Sequence, residues 1–242
     1  MRSWLLPLAL GVPLVSITPA AHAQLVNGGF EQPVCNPAPN PDFFCLENQS
    51  NVDGWQTTAS DNLIEIRRAG TDSPAPVPPG TNLGNYPAYE GNQYAELNAN
   101  EPSTLFQDVT GISAGSFIGW QFAHRGRYGA DTMDLRITDL GPDNQPGGGD
   151  DTDLFTRQFT TNQQAWQFYF GRLSNPAIGN TVRFAYESVS GTSGIAGNYI
   201  DAANFGLDAG FAVPGPLPVM GAAAAFGFSR RLRRRTLRAG RS

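Results

Sequence analysis

"SFIGWQFAH", residues 116–124, alternates strictly: Ile118, Trp120 and Phe122 are interleaved with Phe117, Gly119 and Gln121. A period of two belongs to an extended strand whose successive side chains point to opposite faces, and the β-branched and aromatic content suits a half-buried one. Similar stretches lie on both sides of it: residues 62–66, 92–98, 104–109, 132–138, 153–160, 165–173, 181–189 and 198–207. Gly, Pro, Asn and Asp separate them, and no window outside the two ends has a helical period. Short strands with turns at this spacing predict an all-β chain, a sandwich or barrel.

Two connections stand out. Residues 67–91 carry prolines that exclude central strands, and an irregular stretch of that length in a compact domain is either functional or disordered. "GPDNQPGGGDDTD", residues 141–153, reads as a flexible hairpin connection between two strands. Asp151 and Asp153 have a calcium-like spacing there, but the full loop pattern and its terminal glutamate are missing, so a solvated turn is expected.

The ends are of another kind. "MRSWLLPLALGVPLVSITPAAHAQ" has a positive start at Arg2, a short apolar middle and the small-residue site Ala21-His22-Ala23, the layout of a secretory signal peptide over residues 1–23. Near the other end, residues 211–228 form eighteen uncharged positions, close to the lower limit for a membrane span. Seven arginines follow, and such clusters stay on the cytoplasmic side. Between the ends, eight arginines face 21 acidic residues, a net charge of −13. Nucleic acid needs a basic footprint and is excluded as a partner. The chain has no lysine, which removes Schiff-base chemistry. Cys35 and Cys45, the two cysteines, fall in the exported part and are expected to pair with each other.

The tail resembles the C-terminal sorting signals of exosortase-processed bacterial proteins, the PEP-CTERM class. The motif reads Pro214-Gly215-Pro216-Leu217-Pro218, followed by an Ala/Gly-rich span and "SRRLRRR". That resemblance implies transient membrane insertion of residues 211–242, cleavage by an exosortase-type enzyme, and a bacterial cell-surface or extracellular location for residues 24–210.

Those residues resemble secreted carbohydrate-binding modules of the galactose-binding-like jelly-roll fold. The start "NGGFE" matches at Gly28, Phe30 and Glu31, and the last strand "NYIDAANFGL" matches at Ile200, Asp201 and Phe205. The central segment, from Glu96-Leu97-Asn98 through Leu105-Phe106-Gln107-Asp108 to His124-Arg125-Gly126-Arg127, resembles exported bacterial proteins with this type of domain. A single jelly-roll β-sandwich that binds extracellular polysaccharide without catalysis is therefore expected. In such modules, carboxylates from the two ends help to hold a structural Ca2+. Glu31 and Asp201 are the candidates here, although Ala202 stands where a second acid is usual.

Candidate ligand contacts are His124, Arg125, Arg127 and Tyr128, a rim whose guanidinium forks suit sugar hydroxyls or carboxylates. The alternative is a strand end whose cations pair with Glu96, Asp131 or Asp134. Trp55 follows a turn and is either a sugar-stacking platform or a packed side chain, whereas Trp120 and Trp166 are expected in the core. His124 is the histidine left after signal removal, yet no Gly-x-Ser-x-Gly elbow accompanies it, which argues against a Ser-His-Asp hydrolase. The enzymatic alternative is a glycosidase with paired carboxylates.

Overall fold

The computed structural model describes residues 25–36, 44–70, 86–179, 181–191, 194 and 196–207. The signal segment, the Pro214–Pro218 motif and the arginine tail lie outside the described residues.

Among the described residues eleven strands form two antiparallel sheets: β1 (Phe44–Asn48), β2 (Gln56–Thr57), β3 (Leu63–Arg68), β4 (Gln93–Glu96), β5 (Thr104–Thr110), β6 (Ile118–Arg125), β7 (Asp131–Asp139), β8 (Thr152–Thr161), β9 (Gln167–Arg172), β10 (Thr181–Ser190) and β11 (Tyr199–Leu207). One sheet has the order β1-β3-β4-β11-β6-β9, the other β2-β5-β10-β7-β8. The chain crosses repeatedly between them, and the result is a jelly-roll β-sandwich. The expected nine strands are all present, and the 141–153 connection joins the β7–β8 hairpin. Two strands, β1 and β2, were not expected. The first is five residues that follow a proline-rich stretch of sequence and lead into a 3-10 turn (Gln49–Asn51), and the second, two residues long, is too short to display a period. Among the described residues no helix is long and apolar enough to cross a membrane.

The core lies between the sheets. Trp120 and Phe122 of β6 meet Phe159 of β8 at ring-centroid distances of 5.6 and 5.0 Å, and Phe205 of β11 stacks on Phe184 of β10 at 4.4 Å. Such aromatic pairs supply large buried area plus about 0.5–1.5 kcal/mol each from ring geometry. At one end, Phe30 is fully buried and stacks on Trp55 at 4.8 Å. The turn before Phe30 needs glycine: a Cβ on Gly28 would come within 1.8 Å of the Ala203 carbonyl oxygen. That contact ties the first residues to β11 through a hydrogen bond from Ala203 N–H to the Gly28 carbonyl, 2.9 Å. The Cys35–Cys45 disulfide forms as expected and fastens the same segment to β1.

The two sheets differ on their outer faces. Strand β7 alternates between buried and more exposed positions, as a strand with one solvated face does. In the other sheet, β4 is buried throughout, and β6 has one partly exposed residue in eight. Something therefore covers the outer face of the six-stranded sheet as well as the inner one. The cover is residues 86–91, a strap that crosses strands β4, β11 and β6.

Candidate functional site

The outer face of the six-stranded sheet starts at its edge, β9. Alternation there turns Tyr169 inward, against Phe122 at 5.5 Å and Phe159 at 4.7 Å, and leaves Phe168 and Phe170 outward. By register Phe168 lies opposite Ala123 and Phe170 opposite Gln121, with Asn204 of β11 next in line. The strap adds Tyr89, whose ring stacks on Phe168 at 5.5 Å with 3° between planes; Phe170 follows at 6.0 Å from Phe168. Tyr89 is 43% and Phe170 49% exposed, while Gln121 and Asn204 are half-buried. Three aromatic rings thus form an open strip beside two amide side chains.

The strap is held down at many points. Trp166 donates from Nε1 to the Pro87 carbonyl at 2.8 Å and meets Tyr94 and Tyr89 edge-on at 5.4 and 6.4 Å. Tyr86 donates its hydroxyl to the Arg127 carbonyl at 2.9 Å, and the Arg125 guanidinium lies over the Tyr86 ring at 3.5 Å. Asp201 accepts from Tyr89 N–H and Glu90 N–H at 2.8 and 3.1 Å, and Glu31 accepts from Asn92 N–H and Gln93 N–H at 2.7 and 2.9 Å.

Beneath the strap lies a buried ionic cluster. Glu96 accepts from Arg127 at 2.9 Å on both carboxylate oxygens, from Arg67 at 3.2 Å and from Gly197 N–H at 2.7 Å. Arg67 also bonds Glu65. Burial, with the neighbouring Glu96 charge, pushes the Glu65 carboxyl up to about 8. Arg67 is fully buried between the Phe44 and Tyr199 rings, at 5.5 and 5.2 Å, with Nε and Nη2 making no hydrogen bond.

The residues expected at a ligand rim are mostly enclosed. His124 is 0% exposed, turned into the sandwich, with Nδ1 2.9 Å from Thr161 Oγ1 and Nε2 3.0 Å from Asn198 Oδ1. Burial drops its pKa to about 4, so it is neutral and structural. Arg125 donates to the Gln163 and Gln164 carbonyls, and Arg127 follows the strand-end alternative through Glu96, with its N–H on Asp131. Tyr128 is half-buried with the Arg127 guanidinium 4.9 Å from its ring. Trp55 is 1% exposed and donates to the Asn27 carbonyl at 2.9 Å, which makes it a packed side chain and no platform. Trp120 lies in the core as expected. Trp166 does not: it has the parity of the outward Phe168 and Phe170 and packs on the outer face against Tyr94 and Tyr89.

Glu31 and Asp201 approach the same strap from either side. Asp201 Oδ1 accepts from Ala202 N–H at 2.7 Å in addition to the two strap donors on Oδ2. Burial, opposed by these donors, holds its carboxyl above the usual range. The oxygens are directed at N–H groups, and among the described residues no three His, Cys, Asp or Glu side chains converge on one point. The two carboxylates do not by themselves make a calcium cage.

The aromatic strip was absent from the sequence-based expectations. "QFYFGR" displays alternation, but alternation alone does not say which parity faces the core, and Tyr89 sits in a connection with no period at all.

No family model matches this chain, and no curated protein matches it. Solved structures similar to it include a CBM4 structure, at 16% identity and a TM-score of 0.43, covering 76% of this chain and 99% of that one. The module TmCBM61, in complex with β-1,4-galactotriose, is 15% identical with a TM-score of 0.37, covering 64% and 88%. The C-terminal family 22 carbohydrate-binding module of Clostridium thermocellum Xyn10B is 12% identical with a TM-score of 0.43, covering 69% and 95%.

Proposed function

We propose that this protein is an exported, non-catalytic glycan-binding module of a bacterial cell surface, with its ligand on the outer face of the six-stranded sheet. The observation that carries this is the exposed strip Tyr89–Phe168–Phe170 beside the amides of Gln121 and Asn204. The C–H faces of a pyranose ring pack on aromatic faces, and amides exchange hydrogen bonds with its hydroxyls. Exposed rings held in place beforehand bind at low entropic cost.

The enzymatic alternative finds its carboxylate pair in Glu65 and Glu96, opposite each other across β3 and β4, with side chains 4% and 0% exposed and both bonded to Arg67. Glycosidases need both carboxyls open to a cleft that admits sugar and water. Nothing favours catalysis at this pair.

Surface sorting by an exosortase-type enzyme is part of the proposal, and the Pro214–Pro218 motif with its apolar span and arginines supports it. Mass spectrometry of the mature C-terminus, from hosts with and without the enzyme, tests it; "RRLRRR" retained on surface protein in the competent host overturns it.

Binding is tested by affinity electrophoresis through a panel of neutral and acidic polysaccharides. Tyr89→Ala and Phe170→Ala are each expected to weaken retention about threefold to tenfold, the worth of one aromatic stacking contact. Unfolding free energy should stay within about 0.5 kcal/mol for Phe170→Ala, whose ring is half exposed. Unchanged retention in the double variant overturns the proposal.

A further inference from the structure

We infer that Asp201 and Glu31 are positioning residues of the glycan platform, acting through Tyr89; this rests on the glycan-binding function proposed above. The strip is composite. Phe168 and Phe170 belong to a β-strand whose ladder fixes them, whereas Tyr89 belongs to a strap with no strand pairing of its own. The Tyr89 ring is therefore placed by the groups that hold the strap backbone, together with its edge contact to Trp166.

Those groups are unevenly distributed. Four strap and post-strap N–H groups, of Tyr89, Glu90, Asn92 and Gln93, end on two carboxylate oxygens, Asp201 Oδ2 and Glu31 Oε1. Both acids come from the chain ends, one from the turn after Phe30 and one from β11, so the platform is completed only when the ends meet. The bend between the two pairs of donors is Gly91, at φ +64°, where a Cβ would stand 2.2 Å from Glu31 Oε1. Only a glycine lets the strap descend onto that carboxylate. The Asp201 bonds fall on Tyr89 itself and on the next residue, one residue from the stacked ring. Each carboxyl oxygen takes two backbone N–H groups at 2.7–3.1 Å, which fixes both donors at once, and that is what positioning requires.

The experiment uses the full exported protein, with and without chelator, and reads two quantities. The first is amide hydrogen exchange at residues 86–93, which needs no ligand. Asp201→Ala is expected to release the Tyr89 and Glu90 amides, and Asp201→Asn, which keeps one acceptor oxygen, to release them less. The second is affinity for whichever polysaccharide the wild type retains. Asp201→Ala should lose about threefold to tenfold, and no more than Tyr89→Ala loses. The double variant Tyr89→Ala with Asp201→Ala should bind like Tyr89→Ala alone, since a residue acting only through Tyr89 has nothing left to position. Losses that add in the double variant overturn the inference, as does unchanged exchange at Tyr89 and Glu90. A loss seen only after chelation overturns it in favour of a bound cation. If the wild type retains no polysaccharide, the proposed function fails, and the exchange data alone decide whether the acids hold the strap. Should Asp201→Ala not fold, Asp201→Asn and Glu31→Gln carry the same two readouts.

Discussion

The two outer faces of this sandwich do different work with similar residues. On the five-stranded sheet, Arg183 meets Asp108 at 2.7 Å and Arg136 meets Glu187 at 2.8 Å, all four side chains between 23% and 45% exposed. On the six-stranded sheet, Arg67, Arg127, Glu65 and Glu96 form the same kinds of pair at 7% exposure or less. The exposed pairs are weakened by solvent and by the entropy of long side chains and contribute about 0–1 kcal/mol. The buried ones cost several kcal/mol per ion to desolvate, a cost their mutual bonds must offset. One face is a solvated surface. The other is a floor for the strap that carries Tyr89.

The comparison breaks most directly at Glu96. Glu96→Ala leaves the buried Arg127 guanidinium without its carboxylate and Arg67 with Glu65 alone, and is expected to lower the unfolding free energy by about 3–5 kcal/mol, whereas Arg183→Ala on the opposite face should change it by about 1 kcal/mol or less. Denaturant unfolding of the two variants checks this, and equal losses would erase the distinction between the faces.

Titration sharpens the contrast next. His124 has a folded-state pKa of about 4 against an unfolded value of about 6.5, so the unfolded chain binds the extra proton. Its stability contribution is whole above pH 6.5 and is lost as pH falls toward 4, by about 3 kcal/mol in total. Glu65 acts in the opposite sense: pushed up to about 8, it holds a proton that the unfolded chain releases near 4.5, so its contribution falls as pH rises between those values. Unfolding curves across pH 4–8 should flatten on the acid side in His124→Gln and on the neutral side in Glu65→Gln.

Calcium is expected to have the smallest effect. Because backbone N–H groups already serve Glu31 and Asp201, adding calcium to chelated protein should leave the melting temperature nearly unchanged. A rise that Asp201→Asn abolishes would show that the ion expected at the chain ends binds there.

How the site could be read from sequence follows from what each residue depends on. Phe168 and Phe170 were visible as members of a strand, since a period of two needs only neighbours along the chain. That they face outward was not, because parity is set by which sheet and which edge β9 joins, a matter of pairing with β6. Trp55, which follows a turn, takes the packed one of its two expected places, against Phe30 in the core, and Trp166, expected in the core, has the outward parity of Phe168 and Phe170. His124 and Arg127 carry the chemistry of a binding rim, but His124 is turned into the sandwich and Arg127 pairs with the buried Glu96 beneath the strap.

By itself, then, the sequence determined what local patterns can encode: an all-β chain with nine of its strands, the pairing of Cys35 with Cys45 as its two cysteines, and an acidic character between a leader-like start and an arginine-rich end. These follow from backbone sterics, side-chain alternation and charge, which act within a few residues. Tertiary structure alone decided which face became the floor of a site, because that depended on the strap over residues 86–91 meeting acids from both chain ends. Desolvation then turned Glu65 and His124 away from their ordinary protonation. Burial is a property of everything packed around a residue, and no short stretch of sequence contains it.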